Sequence, residues 1–193
     1  VQREKLTIGE LDCLYCQHNT PTHLEIIYKF YLYDATIGST EIDHWIGPNR
    51  NDSLTKKLQK LIQKQLPLLY KEETKTILDT VDFNSEEIQQ KVYFKAQLFA
   101  PYITKEITFE ELNEDCIAGF YIKTEDLHHL QDCKFHIPSK LNWLVQPHTT
   151  IDWLTFSSFD AKTSEILLQK TSPLCWLKKP NGELQKFFIV WWT

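Results

Sequence analysis

HLEIIYKFYLY, residues 23–33, decides how the chain is read. Apolar and aromatic residues dominate it, and two charges interrupt it at Glu25 and Lys29. Isoleucine, tyrosine and phenylalanine at this density predict a β-strand. Successive strand residues point to opposite faces, so Glu25, Ile27 and Lys29 share one face. The stretch before it, LTIGELDCLYC (6–16), reads as a second strand, and QHNTPT (17–22) reads as the turn between them. A turn centred near residues 18–19 sets Asp12 opposite, or nearly opposite, Glu25.

Carboxylates facing each other across two strands stand ~5 Å apart at Cβ, and like charges at that distance repel. A cation between them removes the penalty. Mg²⁺ or Mn²⁺ suits such a site, because hard ions take one or two carboxylates plus water and substrate phosphate. A metal so placed can assist phosphodiester hydrolysis. The competing reading makes Glu10, Asp12, Glu25 and Lys29 the solvated face of a hairpin, with a cross-strand ion pair. Both readings stand at this point.

Beyond the hairpin, DATIGSTEIDHWIGPNRND (34–52) has the Gly, Pro and Asn of a loop. SLTKKLQKLIQKQL (53–66) places Leu54, Leu58, Leu61, Ile62 and Gln65 on one side at helical spacing. Lys56, Lys60 and Lys64 stripe another face with Lys57 beside them, and Pro67 ends the expected helix. Lys57 borders the apolar side and is the lysine expected to point toward the acidic residues. Residues 70–88 are polar and read as a weak boundary. KVYFKAQLFAPY (91–102) is an expected strand, with another near 119–123. LNWLVQP (141–147) and TIDWLTF (150–156) read as strand or loop. PLCWLKK, a PNGE turn and LQKFFIVWW form a terminal hairpin, its last strand at an edge or buried.

Composition narrows the functional classes. The 193 residues are 42% hydrophobic and 24% charged, enough for a packed core. Net charge is −5, so a nucleic-acid partner would meet a local basic patch or carboxylates screened by metal. Five Cys without regular spacing argue against a disulfide scaffold, and Cys13-Leu14-Tyr15-Cys16 lacks the second pair of a zinc site. No apolar run spans a membrane and no leader is visible, which makes a reducing cytoplasm the expected compartment. The chain starts at Val1 and contains no Met, so a preceding segment is expected.

GELDCLY, HLEIIYKFYL and WIGPNRNDSLTKKLQKLIQKQLP, with KLNWL at 140–144, resemble an uncharacterised bacterial family. That family is similar in turn to the PD-(D/E)XK, restriction-endonuclease-like superfamily. The resemblance implies an α/β fold: an α/β/α core around a mixed sheet, here with a β-rich C-terminal portion. It divides the chain into a nuclease-like core at 1–80 and remaining strands and helices at 81–193. It implies Asp12 and Glu25 as metal ligands for Mg²⁺ or Mn²⁺, Lys29 as the lysine that positions water, and Glu10 as an accessory acid. A further superfamily Glu would come from a preceding helix that residues 1–5 cannot supply. The chain departs from acid-x-Lys in one place: Ile27 stands where the lysine belongs, and Lys29 lies ~13 Å along the strand from Glu25.

The resulting expectation is a metal-dependent nucleic-acid phosphodiesterase acting on DNA or RNA. Lys56, Lys57, Lys60, Asn49 and Arg50 would contact the nucleic acid. The alternative is a catalytically degenerate binding or structural module that kept the fold. Trp45 either stacks on a base or anchors the core, and Gln63 and Gln65 either touch nucleic acid or fill a helix surface. The histidines lack metal-ligand spacing and are expected at the surface or core edge.

Overall fold

His18 and Asn19 both take positive φ, at 48° and 61°, and join two antiparallel strands. These are β3 (Cys13–Gln17) and β4 (Thr20–Tyr33). Gln17 pairs with Thr20, so the loop is the two-residue kind whose twist matches that of the strands. The computed structural model describes residues 1–103 and 106–192. It is a mixed α/β protein.

The other elements, in chain order, are β1 (Gln2–Arg3), β2 (Leu6–Thr7), β5 (Trp45–Ile46), α1 (Leu54–Lys60), α2 (Glu72–Thr80), β6 (Gln89–Pro101), β7 (Ile117–Lys123), β8 (Lys134–His136), α3 (Phe156–Leu168), β9 (Leu174–Lys178) and β10 (Leu184–Val190). β1 and β2 form a small hairpin of their own. The large sheet runs β3-β4-β6-β7-β10-β9-β8, with β5 paired to β4. It is mixed: β7 lies parallel to β6 and to β10, while β9 is antiparallel to β10 and to β8.

Two compact units make up the chain, Val1–Lys29 with Thr55–Ala96, and Phe30–Leu54 with Gln97–Thr193. β4 and β6 each pass from one unit to the other along their length. The first unit packs Leu69, Leu78 and Ile88 against Leu11, Leu14 and Phe83. The second has two cores, and β10 serves both by alternation. Phe187 and Ile189 enter one with Phe135 and Phe159 of α3. Phe188 and Val190 enter the other with Leu32, Phe99 and Trp176. The terminal strand is therefore buried and paired on both sides.

Several expectations are corrected by local physics. The strand expected over 6–16 is split, with Leu6–Thr7 in β2 and β3 starting at Cys13, so Glu10 and Asp12 fall between the two. α2 occupies the stretch read as a boundary: Glu72 and Glu73 in its first turn suit the positive end of the helix dipole. α3 starts where a strand or loop was expected. Thr155 caps it, accepting a hydrogen bond from the Ser158 amide at 3.4 Å. Ile62 is 64% exposed rather than on the apolar side. After α1 the helix widens into a π-helical turn at Leu61–Gln65, and Ile62 lies within it. Pro67 does not end the helical path, because it sits in the first turn of a 3₁₀ segment, Leu66–Tyr70, where its missing N–H costs nothing.

A buried carboxylate network as the candidate site

Glu25 is fully buried, at 0% exposure. That removes it from any solvated face and makes its hydrogen bonds decisive, since a buried charge without partners is costly. Its Oε2 accepts from Gln65 Nε2 at 2.6 Å. Its Oε1 is 2.8 Å from His23 Nε2. Gln90 settles which histidine nitrogen donates. The Gln90 amide nitrogen donates to the Leu66 carbonyl at 2.8 Å and lies 3.1 Å from His23 Nδ1. Nδ1 is therefore the acceptor, and Nε2 carries the proton that Glu25 receives. An uncharged ring and a neutral amide hold the carboxylate, and neither cancels its charge.

Positive charge reaches this network through Gln65. Lys57 Nζ donates to Gln65 Oε1 at 2.8 Å, which completes a chain from Lys57 to Gln65 to Glu25. Positions eight apart in a continuous α-helix are ~80° out of line. The π-helical turn rotates less per residue and brings Gln65 under Lys57. Burial lowers the Lys57 pKa, and the nearby Lys60 and Lys29 lower it further, against the opposing pull of Glu25 and Asp12.

Asp12 lies at the level of Glu25, because Cys13 pairs with Leu24. Its Oδ2 accepts from the Ile26 amide at 2.8 Å, pinning the carboxylate at the mouth of the hairpin. Glu10 is exposed and borders a hollow of about 210 Å³ together with Asp12. Lys29 keeps to the Glu25 face of β4, and Ile27 between them is a core residue at 3% exposure. Lys56, Lys60 and Lys64 are exposed along the helix, while Gln63 points outward.

Asn49 and Arg50 belong to the second unit and are engaged there. Asn49 Oδ1 accepts from the Ser172 amide at 2.7 Å. Arg50 pairs with Asp34 at 2.8 Å and lies 4.7 Å over the Trp192 ring. Trp45 is fully buried and packs edge-on against Tyr33, so it anchors the core. All five cysteines are free thiols. Among the described residues no set of three or more His, Cys, Asp or Glu side chains could hold a metal ion, and no helix is long and apolar enough to cross a membrane.

The sequence profile of one family matches residues 1–190, nearly the whole chain. The chain belongs to DUF1853, a domain of unknown function. Comparisons with curated proteins and with solved structures found no match. The restriction-endonuclease likeness thus has no confirmation from a solved structure. For this DUF1853 chain the hairpin and helix motifs are where the buried network sits. His23 and Gln90 were missed by sequence reasoning. The signal for His23 was a histidine alternating with Glu25 and Ile27 along one face of the strand, and Gln65 stood out as an amide in a leucine stripe.

Proposed function

We propose that this DUF1853 protein is a metal-assisted phosphodiesterase of nucleic acid, with Asp12, Glu25 and Lys57 as its working groups. One observation carries the reading: the hydrogen-bonded chain Lys57–Gln65–Glu25. It supplies, from the neighbouring helix, the positive charge that Ile27 denies to the strand. The donor set fits Mg²⁺ or Mn²⁺ better than Zn²⁺. Two carboxylates offer hard oxygens, each carboxylate oxygen keeps a second lone pair, and such ions fill the remaining positions with water and phosphate. A buried carboxylate held only by uncharged donors also favours a cation.

In this reading Asp12 and Glu25 would hold the ion, which would supply charge neutralisation for phosphodiester hydrolysis. Lys57 faces the phosphate oxygens and stabilises their growing negative charge. Gln65 aligns Lys57 with Glu25, and Lys29 and Glu10 lie at the border of the site. Lys56, Lys60 and Lys64 hold the backbone at a distance from the chemistry.

A second reading has its own observation. Both Glu25 oxygens already accept hydrogen bonds, and Ile27 replaces the lysine. This favours a module that binds nucleic acid without cutting it. Incubation of the protein with labelled DNA and RNA and Mn²⁺, alongside calorimetric Mn²⁺ titration, separates the two. The enzyme reading expects cleavage that Asp12→Ala and Lys57→Ala each reduce by about 100-fold or more. Metal-independent binding without cleavage selects the second reading. Cleavage unchanged in Asp12→Ala sinks the first.

A further inference from the structure

Ile26 on β4 is 52% exposed, while its neighbour Ile27 is 3% exposed. In the first unit the two faces of the sheet are therefore unlike. One is covered. Leu14 is paired with His23 and shares its face, and it packs against Leu69, Leu78 and Ile88. His23 and Gln90 meet on that same side, 3.1 Å apart, which fixes how the neighbouring strands β4 and β6 present their side chains. Alternation then puts the even-numbered residues of β4 and the odd-numbered residues of β6 on the opposite face. There Tyr28 is 39% exposed and Tyr93 is 49% exposed, on the same side as Ile26.

The charge of this face runs against that of the chain. Lys91 and Lys95 are exposed on it, beside Tyr93. None of the residues that β3, β4 and β6 present there within the first unit is acidic, in a chain of net charge −5. Lys95 Nζ lies 5.3 Å from the centre of the Tyr93 ring, within reach of the ring's attraction for a cation. Exposed tyrosines beside lysines match a polyanion that carries aromatic rings. Unpaired nucleobases stack on such rings whatever their sequence, whereas bases inside a duplex are already stacked on one another. A second copy seated face to face would instead bring the lysines of both copies together, with no carboxylate on either face to pair them.

We propose that this face is a stacking platform for the unpaired bases of a single-stranded nucleic acid, with Tyr28 and Tyr93 as its rings. The proposal rests on the nucleic-acid reading above for its class of ligand, and it names single strands as what is held. It shares no residue with the Lys57–Gln65–Glu25 chain. The platform adds stacking to the attraction that the helix lysines exert on the backbone.

The test is fluorescence anisotropy of the whole chain with a labelled oligothymidylate, in EDTA so that metal-assisted cleavage plays no part. An abasic strand of equal length serves as the control. Replacing both rings, Tyr28→Ala with Tyr93→Ala, is expected to weaken oligothymidylate binding by about 25-fold or more, the loss of two stacked bases. Tyr28→Phe with Tyr93→Phe should bind as the parent does. The abasic strand should bind the parent and the double alanine variant alike, and more weakly than oligothymidylate binds the parent. The proposal is overturned if the double alanine variant binds oligothymidylate as tightly as the parent, or if the unaltered protein binds the abasic strand equally well. Sedimentation showing a dimer that the alanine substitutions abolish would give the face to a second copy instead. Binding that survives the loss of both rings leaves the nucleic-acid reading standing, and the absence of binding to either strand removes both.

Discussion

His23 touches two buried polar groups at once, the Glu25 carboxylate and the Gln90 amide. Replacing it with leucine leaves Glu25 with one donor fewer and Gln90 with one acceptor fewer, both inside the first unit. His23→Leu is expected to lower unfolding free energy by about 2 kcal/mol or more, measured by urea titration. A loss below about 0.5 kcal/mol would mean that the ring is not in the network. Little of this was legible beforehand. Alternation placed Glu25, Ile27 and Lys29 on one face, and the turn signal placed Asp12 beside Glu25. Whether that face looked at solvent or at protein depended on Gln65 and Gln90, which arrive from 40 and 65 positions further along the chain. No local pattern contains that information. Lys57 could be read as the inward lysine because it borders the leucine stripe, but Ile62 could not be read as outward, since helical spacing sets it beside Leu58.

At the scale of elements, strand β7 and the loop after β4 each carry a prediction. Gly119 on β7 faces Lys186 on β10 so closely that only glycine fits. Gly119→Ala forces these parallel strands apart and is expected to cost about 1–3 kcal/mol of stability by urea titration. The loop after β4 is clamped by Asp34, which accepts from the Thr36 amide and hydroxyl and from Arg50. Burial alone would raise the Asp34 pKa, but the bonds from Thr36 and the Arg50 guanidinium outweigh it and hold the carboxyl below its usual value. A carboxyl with a depressed folded pKa stabilises the fold above its unfolded pKa of ~3.9, and that contribution is lost as pH falls through the lower, folded value. The urea midpoint is therefore expected to drop between about pH 5 and pH 3. Asp34→Asn should flatten part of that slope, and an unchanged slope would remove Asp34 from the account. The β3–β4 and β9–β10 hairpins were legible because turns and alternation are local. α3 was not, because its aromatic opening matches a strand until the Thr155 cap is noticed.

Across the whole molecule the charge balance is acidic, at −5, while the helix of the first unit bears Lys56, Lys60 and Lys64 along its exposed side. An acidic protein gains nothing from nonspecific attraction to phosphate, so any nucleic-acid affinity must come through that stripe. Each lysine that neutralises a phosphate on a single strand releases about 0.7 of a counterion, and three of them set a slope near −2 for log K against log salt. Fluorescence anisotropy with a labelled 20-nucleotide single strand, from 50 to 200 mM salt, measures the slope directly. The substitution Lys60→Glu with Lys64→Glu should flatten it by about 1.4 and weaken binding across all sequences tested. Arg50→Ala, in the second unit, should leave the slope where it was, because its guanidinium is spent on Asp34 and Trp192. If the slope follows Arg50 instead of the helix lysines, the nucleic acid lies elsewhere, and the Lys57–Gln65–Glu25 chain loses the substrate that gives it meaning.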